Sequence, residues 1–86
     1  SDLPRTYRVR FNGELTERAQ QAIRQGLTIQ GFRYQPAKLE VSNSEASNRW
    51  ATLTLTEGKN REIRNMFEHF GCEVSRLIRL SYGPFK

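Results

Sequence analysis

The stretch Thr6-Tyr7-Arg8-Val9-Arg10-Phe11 limits the folds open to this chain more than any other. Tyr7, Val9 and Phe11 alternate with Thr6, Arg8 and Arg10. Successive side chains of a strand point to opposite faces, so the period predicts a strand with one apolar and one basic face. The chain has 86 residues, enough for one small domain. At that size only about 60–65% of the unfolded surface can be buried. There is little material to spare.

The rest of the chain reads against that strand. Asn12-Gly13 is a turn pair, and Leu15, Ala19, Ala22 and Ile23 recur at helical spacing, with Thr16 placed to cap and Gly26 to terminate a helix over 16–25. The segment from Gly26 to Lys38 contains two glycines and Pro36 and reads as a connection, with a short extended stretch around Leu27–Ile29. Two β-rich runs, 38–43 and 49–57, flank a polar loop and predict a hairpin, the second strand turning Ala51, Leu53 and Leu55 one way and Trp50, Thr52 and Thr54 the other. Asn60 is a suitable cap for a second helix, whose core stripe is Ile63, Met66, Phe67 and Phe70, ended by Gly71. The run from Glu73 onward is a last strand, and adjacent Leu77 and Ile78 predict cover on both of its faces. The order β-α-β-β-α-β predicts an α+β fold, a mostly antiparallel sheet with two helices packed on one face.

Fourteen Lys and Arg against nine Asp and Glu give a net charge of +5, which favours a polyanionic partner, RNA or DNA. A single cysteine, Cys72, rules out an internal disulfide framework and suits a reducing compartment. No run approaches the ~20 apolar residues of a membrane helix, and the first residues lack a signal-peptide core, so the expectation is a soluble, cytoplasmic protein.

Metal chemistry is not expected, because His69 and Cys72 offer two ligands where zinc sites use three or four. Gly58-Lys59 lacks the Ser or Thr and the earlier glycine of a phosphate loop. Asp2 is the only aspartate, so a reaction depending on an aspartate nucleophile cannot be completed by the rest of this chain.

What remains is cationic. Lys59 and Arg61 open the second helix at the end where its dipole is already positive, a placement that calls for an anion. Arg61 and Arg64 lie about 60° apart, beside the apolar stripe. Arg64 has Glu68 one turn on and could form an ordinary i, i+4 ion pair, or it could reach over the sheet edge to hold a phosphate or a carboxylate from another segment. Arg8 and Arg10, with Arg76 and Arg79, could extend a basic surface, and Tyr7 and Trp50 are either platforms for unstacked bases or hydrophobic cover on the sheet.

The segments LPRTYRV (3–9) and EGKNREIRNMFEHFGCEVSRLIRLSYGPF (57–85) closely resemble the C-terminal part of the catalytic domain of bacterial ribosomal RNA pseudouridine synthases. That group contains small-subunit synthase A and large-subunit synthases B, E and F. The likeness runs from Leu3 to Phe85 and keeps Glu-Gly-basic-Asn-Arg, a further Arg after two residues, then Met, Gly and Arg-Leu-x-Arg in order.

The resemblance implies an α+β catalytic domain, usually preceded by a small RNA-binding domain, and a reaction without a cofactor. An aspartate attacks the target nucleoside, and the uracil detaches, rotates and is rejoined through carbon. It implies that Tyr7 packs on the target base and assists proton removal, and that Arg64 pairs with the catalytic aspartate. Lys59, Asn60 and Arg61 are expected near the cleft and the RNA backbone. The family's Gly-Arg-Leu-Asp motif and its Thr-x-Gly-Leu stretch belong before Leu3 and are absent. The chain therefore reads as a fragment, inactive alone, whose missing neighbours leave an open sheet edge that predicts self-association or strand exchange. A second reading is a free-standing RNA-binding module, since the RNA-recognition fold has the same element order. That fold's aromatic signature on a central strand is missing here, the run 50–57 standing in the place where it is expected.

Overall fold

In the computed structural model, which describes residues 3–42, 48–56 and 60–80, β1 (Arg5–Asn12) is a central strand with an antiparallel neighbour on each side. Its alternation is realised as read: Val9 and Phe11 are fully buried and Tyr7 nearly so, while Arg8 and Arg10 stay partly exposed on the opposite face. β5 (Asn48–Leu55) pairs along the whole of β1, from Arg5↔Leu55 to Asn12↔Asn48. β6 (Glu73–Arg79) pairs on the other side, and β4 (Lys38–Val41) lies outside β5, giving the order β4-β5-β1-β6. All three pairings are antiparallel. This is a split β-α-β unit, in which β5 occupies the place between β1 and β4, the first strand after the helix to join this sheet.

α1 (Glu17–Gln25) forms where its caps allow. Thr16 Oγ1 accepts a hydrogen bond from Ala19 N at 3.1 Å, a cap worth about 1 kcal/mol, and Gly26 leaves the helix at φ +89°. Ala19 and Ile23 face the sheet, and Arg24 donates through both Nε and Nη2 to Leu39 O, tying α1 to β4. α2 (Asn60–His69) buries Ile63, Met66 and Phe67, and the Phe67 ring meets Phe11 edge-on at 5.3 Å between centroids. The core is thus a single layer between the two helices and one face of the sheet, completed by Leu39, Ala51, Leu53 and Val74.

Four expectations are corrected. The connection after α1 is a small hairpin, β2 (Leu27–Ile29) paired with β3 (Phe32–Tyr34), so the described elements run β-α-β-β-β-β-α-β. Its turn puts Gln30 at φ +51° and Gly31 at φ +85°, the left-handed pair that a two-residue hairpin matching strand twist requires. Asn60 is the first residue of α2 rather than a residue before it; its side chain lies outside the described set. Phe70 sits just past the helix and is half-buried against the core. Leu77 and Ile78 are both half-buried, because β6 is a border strand and its register shifts between Arg10 and Phe11. That bulge at Ser75 allows Val74 and Leu77 both to face the core, opposite Phe11 and Val9, while Ile78 stands beside Arg8 on the other face.

Candidate nucleic-acid interface

Three places hold the residues singled out from the sequence. The first is the start of α2. Lys59 lies outside the described residues, Asn60 begins the helix and Arg61 is exposed on its first turn. Arg64, also exposed, donates from Nη1 to Val74 O at 3.1 Å. The ion pair with Glu68 is not formed; the guanidinium lies against the border strand β6 instead, over the sheet edge.

The second is Tyr7, which is 3% exposed and faces the helices. It stands opposite Leu53 and Arg79, whereas Arg64 is anchored at Val74, opposite Phe11. Those two positions are four residues apart on β1, about 13 Å along the strand. Tyr7 thus packs in the core of the described residues and is not brought together with Arg64.

The third is the outer face of the sheet. Both helices pack on the other side, so nothing among the described elements covers it. Arg8 lies over the Trp50 ring, its guanidinium carbon 4.6 Å from the centroid, and Arg8 Nε is buried without a hydrogen-bond partner. Arg10 stands directly between Trp50 on β5 and Arg76 on β6. Arg76 therefore extends the basic face as expected, but Arg79, three residues later, falls on the Tyr7 side. Trp50 is not bare: its ring carries the Arg8 guanidinium, a contact worth about 0.5–1 kcal/mol at exposed sites.

The sequence reading passed over Glu40, which β4 brings to this outer face opposite Thr52. The alternation of Leu39 and Val41 with Lys38 and Glu40 was the available signal. It also passed over a groove of about 490 Å³ between the β2–β3 hairpin and α2, lined by Phe32, Tyr34, Glu62, Glu68 and His69 among others. The two carboxylates make that groove a poor place for phosphate.

Burial pushes the Cys72 thiol up from its ordinary range, with Arg49 opposing and Glu14 adding to the shift. The thiol is therefore protonated at neutral pH and a weak nucleophile.

No family model matches the chain. It is 42% identical over 86 residues to an uncharacterized RNA pseudouridine synthase of Rickettsia bellii, covering all of this chain and 37% of that relative. It is 37% identical over 82 residues to ribosomal large subunit pseudouridine synthase B of Salmonella typhimurium, covering 95% of the chain and 28% of the relative. The chain is related to the RNA pseudouridine synthases. It spans about a third of the length of these curated relatives. Relative to those synthases, the whole of the described sheet and both helices fall inside the aligned part, because the Rickettsia match runs over every residue of the chain.

Proposed function

We propose that this chain supplies part of the active site of an RNA pseudouridine synthase acting on ribosomal RNA. The observation that carries the reading is the likeness of nearly the whole of this chain to part of several synthases, including one whose name assigns it to the large ribosomal subunit. The isomerisation breaks the bond from ribose C1′ to uracil N1 and forms one to uracil C5, with an aspartate as nucleophile. The only aspartate here is Asp2, so the nucleophile comes from another segment.

In this reading Arg64 orients that carboxylate. A guanidinium has five N–H donors, and one directed at Val74 O holds the group in place while leaving others for a bidentate contact. Lys59, Asn60 and Arg61 meet RNA phosphates at the positive end of α2. Tyr7 meets the target base. Its burial means that a base reaches it only when the segments packed around it part.

The test is pseudouridine formation on ribosomal RNA transcripts without added metal. The full-length protein containing this chain is expected to turn over, and Arg64→Ala in it to lose most of that activity while still binding RNA. The 86-residue chain alone is expected to be inactive, and turnover by it would overturn the half-site assignment. Strand exchange through the β6 edge is expected to appear as dimers in sedimentation at high concentration.

The second reading, a free-standing RNA-binding module, draws support from the split strand order and the bare cationic sheet face. Sequence-selective binding of single-stranded RNA by the chain at physiological salt favours it. Weak binding that fades with salt favours the half-site.

A further inference from the structure

We propose that the outer face of the sheet binds single-stranded RNA: Arg10 and Arg76 hold a backbone phosphate, and the depression beside Trp50 and Glu40 takes one base bearing an exocyclic amine. The proposal rests on the reading of the chain as RNA-directed, and it names a surface separate from Tyr7, Arg64 and the start of α2.

The first support is electrostatic. Arg10 and Arg76 are direct cross-strand partners, and like charges so placed destabilise a sheet. The side chain of neither makes a hydrogen bond or ion pair with any described residue. The carboxylates on the flanking strands are not spent on them: Glu40 stands opposite Thr52, and Glu73 opposite Asn12. Two unneutralised guanidiniums side by side offer a fork for one phosphate.

The second support is the neighbouring depression of about 210 Å³, lined by Arg8, Glu40, Val41, Ser42, Trp50 and Thr52. At about 30 Å³ per water it holds a handful of solvent molecules, the room that one planar ring occupies. Trp50 borders it, one face of its ring taken by the Arg8 guanidinium and the other left for a base, and Ser42 is fixed by hydrogen bonds to the Trp50 backbone. Arg8, whose guanidinium lies over the Trp50 ring, adds a further cation to the lining.

Glu40 sets the choice of base. A carboxylate only accepts hydrogen bonds, and it matches the amino groups of cytosine or adenine. Uracil presents carbonyl oxygens at the corresponding edge and is repelled. The same charge keeps phosphate away from the β4 side and directs it to Arg10 and Arg76. A duplex hides its base faces in the stack, so the surface selects single strands.

Short labelled oligocytidylate, oligoadenylate and oligouridylate, titrated with the chain by fluorescence anisotropy over a range of salt, test this. Oligocytidylate and oligoadenylate are expected to bind about tenfold tighter than oligouridylate. Trp50→Ala should weaken binding about tenfold and Trp50→Phe should keep most of it, with thermal melts confirming that both fold. Replacing Arg10 and Arg76 by Gln should flatten the slope of log affinity against log salt by about 0.7, the share of the one phosphate they hold. Glu40→Gln should narrow the difference between cytidylate and uridylate.

If RNA binds but is indifferent to Trp50, Arg10, Arg76 and base identity, while Arg61→Gln abolishes binding, the sheet-face proposal is wrong and the RNA reading stands. If no RNA binds even at low salt, both fall. Tighter binding of double-stranded RNA also overturns the proposal.

Discussion

The two faces of one sheet follow opposite rules. On the inner face Tyr7, Val9 and Phe11 meet Leu53, Ala51, Val74 and Leu77, and helices close over them. On the outer face, the residues between them are Arg8 and Arg10, one lying over the Trp50 ring without a partner for its Nε among the described residues and the other facing Arg76. Backbone hydrogen bonds and twist are shared, so the contrast lies wholly in side chains. The inner face is arranged for stability; the outer face leaves a local electrostatic cost uncorrected.

That contrast can be broken from either side. The largest effect belongs to the inner face: Phe67→Ala removes the ring packed on Phe11 and is expected to cost about 3–5 kcal/mol, read as a lower urea midpoint. Native domains have only about 5–15 kcal/mol in total, so this variant is expected to be close to unfolded at room temperature. Gly26→Ala tests the joint between α1 and the hairpin. A Cβ there sits 3.1 Å from Tyr34 O at a φ of +89°, and the expected loss is about 1–3 kcal/mol in the same assay.

Arg76→Glu acts on the outer face with the opposite sign. It turns a like-charge pair with Arg10 into an attractive one and is expected to raise stability by up to about 1 kcal/mol. Affinity for single-stranded RNA should fall in the same variant. A loss of stability would show that the two guanidiniums do not repel each other.

The smallest effect is from pH. The folded state raises the Cys72 pKa above the ordinary 9.0, so its protonated form is the one favoured by folding. Its contribution is whole below pH 9.0 and is lost as pH rises from there through the folded value. Comparing wild type with Cys72→Ala by thermal unfolding isolates it: the variant should lose stability less steeply on the alkaline side.

Much of this was legible without coordinates. Thr16 and Gly26 bracket α1 because each satisfies a local need, a donor for the first turn and a left-handed exit. Ile63, Met66 and Phe67 declare their face by spacing alone. The hairpin was not legible, since Gln30-Gly31 is an uncommon pair for its turn and each strand has three residues, too few for a period to register. Nor was the partner of Arg64. Glu68 is one turn away in sequence, yet the side chain follows the packing of α2 on β6 and takes a backbone carbonyl.

The order of residues along the chain was enough to decide which side chains share a face, because strand and helix periods are properties of a single segment. It was enough, too, to reveal kinship with RNA-modifying enzymes, which resides in spaced identities. Which faces meet was settled only in three dimensions. Arg10 comes to lie against Arg76, sixty-six residues away, because β6 borders β1 in the register set after the bulge at Ser75. A long-range pairing of that kind depends on the closure of the whole core, and no local pattern encodes it.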